Sequence, residues 1–492
     1  MSRRTLAAAA LAALLGLIGT HRAQAGQAPY GVAAPDIPIS AHDRVYTADQ
    51  YSNTVSVYNP QSETLLGVIR LGVPAPAGFS PLYTGQLLVH GMGFSPDHRT
   101  LVVVSIGSNA VTFIDTPTNA VKHITYVGRS PHEAFFTPDG REVWVTVRGE
   151  NYVAVLDAHT YQEIARITLA NGPGMTIFRP DGAYAFVCSS FVPQTAVIAV
   201  RTHQVVATVR QVSPFCPNIA ATPDGQQVWF TLKDVGKVQV ISARPPFQTL
   251  AVLDAGPITN HVNIVRNAHG QFAYVTVGGE NLVKVYTTAL PPRLVATIPT
   301  GAAGELPHGI WPSGDGTRVY VALENGDGAL AIDTLTNKVI ATIHGGQSPQ
   351  ALVYVPDAVP QGAGLSHLTP LGDVGMNGHL VLGPPDSSPT HAPTSITVNN
   401  QGPIDLLEAA VTGLRPGSMY ELALAPRAGA PYGTLQPLAT FKTNAAGAQV
   451  VVTLGPLRQV VEAPSGAAPR RYLVIAPLVN GRPGAPVQVQ LG

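Results

Sequence analysis

The sequence is poor in cysteine, charge and tryptophan, and beyond its first residues it has no long apolar run. Its two cysteines, Cys188 and Cys216, leave no paired CxxC zinc site and no CxxCH haem-attachment site. Lys+Arg and Asp+Glu number 29 each, so charged residues make up only 12% of 492. That neutral balance gives no field to attract nucleic acid or an anionic membrane. Charge this sparse in a chain that is 45% hydrophobic also excludes disorder throughout. HExxH, a Walker loop, GxSxG and a helix-opening GxGxxG are all missing, and amphipathic helix periodicity is almost absent. Zinc proteases, α/β-hydrolases and nucleotide-binding α/β folds are thereby set aside. No segment after the first 25 residues reaches 18 apolar residues, so no transmembrane segment is expected.

Glycine (49) and proline (44) are abundant and lack a collagen period, which points to many tight turns between short strands. Residues 1–25 read as an export signal: Arg3-Arg4, then "LAAAALAALLGLIG", then "AQA" ending at Ala25. A periplasmic or secreted protein follows, by a general secretory signal, with the twin-arginine route open through "SRRTLA".

A turn recurs along the chain: "FSPDH" (94–98), "FTPDG" (136–140), "FRPDG" (178–182), "ATPDG" (221–225), "RNAHG" (266–270) and "SGDG" (313–316). The last residues of these turns lie 42, 42, 43, 45 and 46 apart. An alternating run follows each of the last five turns, with a large ring four places on: Trp144, Phe186, Trp229, Tyr274 and Tyr320. Two further strands complete each repeat, as in "NAVTFID" and "VIATIHG". Four strands per forty-odd residues is one propeller blade. The first repeat begins mid-blade at "DRVYTADQ", and the last leaves a lone strand, "SPQALVYVPDA" (348–358). Pairing residues 349–355 with residues 43–70 removes both exposed edges. The expected fold is therefore all-β: a seven-bladed β-propeller over 40–357, closed by strand exchange between the N- and C-terminal parts.

The stretches "RVYVALENGDGALAIDTLTNKVIATI" (318–343) and "NAVTFIDTPTNAVKHI" (109–124) resemble the YVTN-repeat family of exported seven-bladed propellers. The resemblance covers about residues 40–357 and implies fold rather than activity. The architecture is also similar to the propellers of nitrous oxide reductase and haem-d nitrite reductase, whose channel-mouth histidines serve metal centres. Their cupredoxin and cytochrome domains are missing here, so that likeness stops at architecture. Three tryptophans do not reproduce the repeated docking motifs of pyrroloquinoline-quinone propellers.

Residues 358–394 are rich in Pro, Gly and polar residues, as a linker would be. Residues 395–492 show short alternating strands, and "GLRPGSMYELAL" resembles part of a fibronectin-like β-sandwich.

The recurring turn lies on the bottom rim of such a propeller, so the start of each inner strand lies at the top, beside the central channel. There the repeats place His90, His132 and His308 in one register, with His261 one step away. The loops after the second strands bring Arg148, Glu150, Lys233, Asp234, Glu280, Glu324 and Asp327 to the same face, and Glu133 follows His132. Convergent polar groups at one mouth fit a ligand site for a small molecule, a metal or a partner protein. The histidines have three readings: braces between blades, ligands of a transition metal (Cu, Fe or Zn) or haem, or acid–base catalysts beside Glu133, Glu150 or Glu324. The enzymatic alternative is a metal-dependent oxidoreductase, or a lyase or hydrolase, using the same cluster. A loop at 72–89 places Phe79, Leu82 and Tyr83 as a partial lid over the mouth. Cys188 and Cys216 fall on neighbouring blades, where a disulfide, two thiols or a soft metal pair are all open.

Overall fold

A computed structural model describes residues 38–72, 87–301, 305–372, 378–386, 388, 393–400, 404–461 and 470–491. The export signal at 1–25 and the loop carrying Phe79, Leu82 and Tyr83 lie outside the described residues. Seven four-stranded antiparallel sheets form the propeller. In blade 1 the inner strand is Pro349–Val355, paired with Arg44–Asp49 in the register Val45↔Tyr354 and Thr47↔Leu352. The remaining inner strands, for blades 2 to 7, are Val89–Phe94, Pro131–Phe136, Pro173–Phe178, Ile219–Ala221, Thr259–Asn267 and Pro307–Pro312. Strand exchange therefore closes the ring.

The repeated turns work as their composition requires. At Gly140 the backbone has φ of 71°, and Thr137 Oγ1 donates to Asp139 Oδ1 at 2.6 Å. The ring-bearing positions are fully buried between sheets, Trp144, Phe186, Trp229 and Tyr320 among them, and each removes on the order of 150–250 Å² from water. Both tryptophan edges are satisfied: Trp144 Nε1 donates to Glu142 at 2.8 Å and Trp229 Nε1 to Gln227 at 2.8 Å.

Residues 357–372 run up the flank of the ring as a strap. Asn119 Nδ2 donates to Gly364 O (2.9 Å) and Ser366 O (3.0 Å), and Thr369 exchanges backbone bonds with Val68 at 2.9 and 3.0 Å. Prolines and glycines suit this path because it follows the sides of existing blades instead of adding a strand to one.

The C-terminal part is one continuous curled sheet folded over a core of Leu382, Ile396, Val398, Leu407, Tyr420, Leu422, Leu473 and Ile475. Its end strands, Gln436–Lys442 and Gln449–Gly455, come close together, so both layers of the sandwich belong to the same sheet. The strand Gly378–Gly383 belongs to this sheet, although its residues fall inside the stretch expected as linker. The alternation of "GHLVLG" is short and flanked by glycine and proline, which hid it.

Candidate functional site

The site residues sit where the inner strands slip register. Pairing shifts between Val89 and Met92, Pro131 and Glu133, Thr259 and Val262, and Pro307 and Ile310. Each shift is a bulge at the top of a strand, and it holds His90, His132, His261 or His308. A bulge re-aims the side chain it carries, which here turns imidazoles toward the pore. Neighbouring strands approach closely beside them: a Cβ at Gly91 would lie 2.1 Å from His132 O. Gly174 occupies the equivalent place in blade 4, where a Cβ would lie 2.5 Å from Ser190 Oγ and 3.1 Å from Cys216 O, so a side chain there is crowded.

The sandwich sits on the top rim over blades 6, 7 and 1. Tyr51 donates to Glu408 Oε2 at 2.6 Å, Asn325 Nδ2 donates to Ser395 Oγ at 2.7 Å, and His379 Nε2 lies 2.7 Å from Asp327 Oδ2. Ile258 and Leu306 pack on Ala410 and Ala448. Away from this contact, Phe191 (57%) and Val212 (51%) face solvent.

Between rim and sandwich lies a chamber of about 490 Å³. Propeller side chains supply most of the wall: Gln50, His90, His132, Arg148, Lys233, Asp234, His308, Glu324 and Gln350, with Phe215, Pro217 and Ile258 as apolar surface. The sandwich adds Glu408, Asn444, Gln449 and Val450. Beneath the imidazoles the pore narrows to about 20 Å³, lined by Glu133, His261, Asn218 and Asn263 and floored by Phe135, Ile177, Trp311 and Leu352. That volume holds about one water molecule.

Hydrogen bonds settle the imidazole tautomers. His132 Nδ1 faces Gly174 O at 2.9 Å and His308 Nδ1 faces Gln350 O at 2.7 Å. A carbonyl only accepts, so both Nδ1 atoms carry hydrogen and both Nε2 atoms are bare while the rings are neutral. Neutral they are: burial is the main cause that holds His90, His132 and His261 well below the ordinary imidazole range, helped by neighbouring imidazoles, Arg148 or Lys233. Burial and the Lys233 ammonium push His308 down to about 3. His90 Nδ1 lies 3.1 Å from Gln50 Oε1, an oxygen that only accepts, so this Nδ1 carries hydrogen too, and the bare His90 Nε2 faces His132 Nε2 at 3.0 Å.

Arg148 follows the second strand of blade 3 and faces the chamber. Among the described residues no carboxylate and no hydrogen-bond acceptor pairs with its guanidinium, and burial alone lowers its pKa to about 10, so it stays charged at neutral pH. Across the chamber, burial and then the Glu324 carboxyl hold Glu408 well above the usual carboxylate range. Gln350 Nε2 donates to Glu324 Oε1 at 2.9 Å. A protonated Glu408 beside Glu324 removes the repulsion that two buried carboxylates would suffer.

Of the residues expected at the mouth, His90, His132, His308, Arg148, Lys233, Asp234 and Glu324 line the chamber. His261 and Glu133 belong to the narrow pore below, His261 with its ring centroid 4.6 Å from that of His308. Glu133 Oε1 is buried without a partner, and burial raises its pKa well above the ordinary value. Glu150 accepts from Arg129 N at 2.9 Å, Glu280 pairs with Lys284 at 2.7 Å, and Asp327 pairs with His379. These three serve contacts on the rim. Cys188 and Cys216 form a disulfide joining blades 4 and 5. Among the described residues no group of three or more His, Cys, Asp or Glu side chains is placed to hold a metal ion, and no helix is long and apolar enough to cross a membrane. Glu408, Asn444, Gln449 and Val450 carried no sequence signal of their role, because nothing in the repeats says where the sandwich docks.

No family model and no curated protein matches the chain. Among solved structures it is similar to Kuenenia stuttgartiensis hydrazine synthase, at 19% identity and a TM-score of 0.51 over 58% of this chain and 94% of that one. It is also similar to a functionally unknown protein from Desulfotomaculum acetoxidans DSM 771, at 14% identity and a TM-score of 0.51 over 63% of this chain and 98% of that one. At such identities the likeness shows the fold alone: the chain is a seven-bladed β-propeller carrying a C-terminal β-sandwich.

Proposed function

We propose that this protein is an exported binding protein whose chamber, between propeller and sandwich, holds a small anionic solute. One observation carries the reading: Arg148, half-buried in the chamber wall and charged, meets no acceptor among the described residues. A cation partly withdrawn from water gains by pairing, and an anion in the chamber supplies the pair. The planar guanidinium suits a carboxylate or another oxyanion, bound by two parallel hydrogen bonds. Neutral imidazoles and a protonated Glu408 leave that charge uncontested on the Arg148 side.

Calorimetric titration of acetate, butyrate, succinate and sulfate into the full chain and into Arg148→Gln tests the reading. At least one anion is expected to bind the parent protein and to lose about tenfold or more in Arg148→Gln, since a charge-assisted hydrogen bond contributes about 1.5–3 kcal/mol. Equal behaviour of the two proteins toward every anion overturns it.

A second reading, a transition metal on the imidazoles, has one observation in its favour. His90 and His132 present Nε2 atoms 3.0 Å apart, and two imidazoles bound to one ion at about 2.0–2.1 Å stand about 3 Å apart. Elemental analysis of protein from its native compartment, with His90→Phe as control, separates the two. Stoichiometric Cu, Fe or Zn absent from the variant selects the metal.

A further inference from the structure

Arg148 accounts for one end of a ligand. On the opposite side of the ring, blade 7 holds an acceptor that lacks a donor. His308 is buried at 5% exposure and lines the chamber. Its Nδ1–H is committed to Gln350 O, so Nε2 presents a bare lone pair. Among the described residues no donor lies within hydrogen-bonding distance of that nitrogen. Glu324 Oε2 stands 4.0 Å away, another acceptor. Glu324 has the protonated Glu408 and Gln350 beside it, so His308 Nε2 is the acceptor left to take a hydrogen from something that enters the chamber.

The charge of that donor is constrained as well. The Lys233 ammonium acts on both His308 and Glu408, so this side of the chamber already contains a cation. Lys233 already faces the Glu324 and Asp234 carboxyls in the same chamber, so no unpartnered negative charge calls for a ligand ammonium there. A neutral hydroxyl donates to Nε2 without bringing a charge. The two anchors share one wall-lined space: Arg148 and His308 both border the chamber of about 490 Å³, which is the size of one small molecule.

We infer that the chamber takes a hydroxy acid, its anionic group on Arg148 and its hydroxyl donating to His308 Nε2, an assignment that rests on the anion reading above. Phe215, Pro217, Ile258 and Val450 would cover the carbon chain between the two ends. His308 thereby selects the ligand, and Arg148 holds it.

The test is calorimetry on the full chain with three matched series of two to five carbons: ω-hydroxy acids beginning with glycolate, the unsubstituted acids, and the ω-amino acids. At one chain length the hydroxy acid is expected to bind at least tenfold tighter than both counterparts. The ratio of hydroxy-acid to plain-acid affinity, measured on one variant at a time, is expected to fall to near one in His308→Phe. In His308→Gln, whose amide oxygen restores an acceptor, it is expected to recover in part. Equal binding of hydroxy and plain acids at every length, with binding still lost in Arg148→Gln, overturns the hydroxy-acid assignment and leaves the anion site standing. A hydroxyl preference that survives in His308→Phe overturns it too. If no acid in any series binds in an Arg148-dependent way, both readings fall.

Discussion

Tyr51 on the rim of blade 1 donates its hydroxyl to Glu408 Oε2 of the sandwich across 2.6 Å, and this bond crosses from one domain to the other at the edge of the chamber. The acceptor is buried and shares its surroundings with Glu324, so the bond belongs to a small network in which each member satisfies the next. Tyr51→Phe removes one donor to a buried carboxyl. It is expected to lower the unfolding free energy by about 1–3 kcal/mol, measured by chemical denaturation. An unchanged midpoint and slope would mean that the sandwich does not depend on this contact.

Acidity should also govern how firmly the sandwich holds. Glu408, raised from 4.5 to about 8, and Asp49, raised from 3.8 to about 7, both favour their protonated forms in the folded chain, burial being the main cause. A carboxyl of this kind contributes fully below its unfolded pKa, and the contribution is lost as pH rises through the folded value. His308, held down to about 3, acts in the opposite direction: its contribution is present above 6.5 and is lost as pH falls toward 3. Above pH 6.5 the imidazole no longer contributes a slope, so the melting temperature is expected to fall between pH 6.5 and 8 and to level off above that, while below pH 6.5 the imidazole and the carboxyls act against each other. Glu408→Gln should soften the alkaline fall. A flat profile from pH 6.5 to 9 in the parent protein would contradict this.

The tautomers can be read directly. Nitrogen-correlated imidazole NMR spectra are expected to show His132 and His308 as neutral rings protonated at Nδ1 down to about pH 5. A spectrum with hydrogen on Nε2 of His308 would remove the open acceptor and the selectivity built on it.

The disulfide joins residues 28 apart in sequence. In the chain-entropy view, closing a loop of that length stabilises by about 3–4 kcal/mol. Cys188→Ala with Cys216→Ala is expected to lose about that much, seen as a lowered denaturant midpoint without loss of propeller circular dichroism.

Much of the propeller was legible because repetition multiplies weak signals. One "PDG" turn says little, but six turns spaced by 42 to 46 residues, each of the last five with a ring four places later, leave few alternatives. The unpaired strand at 349–355 revealed the closure for the same reason: an edge needs a partner. The histidine register was legible through the same periodicity, but its meaning was not. His90, His132 and His308 line the chamber while His261, a single residue out of step, lies in the pore below. Glu150, Glu280 and Asp327 had the right height on the ring but found Arg129, Lys284 and His379 nearer than the chamber. Local counter-charges decide such orientations, and no period encodes them. The sandwich residues that complete the wall depend on docking between two domains, a relationship that neither domain's own pattern contains.

The inner strand of blade 1 is the last of the propeller to leave the ribosome. Until residues 349–355 emerge, the nascent chain is an unclosed arc with no rim on which a cap could settle. Only afterward do the strap and then the cap follow in the chain, so a wall built from rim and cap has to wait for the ring to close.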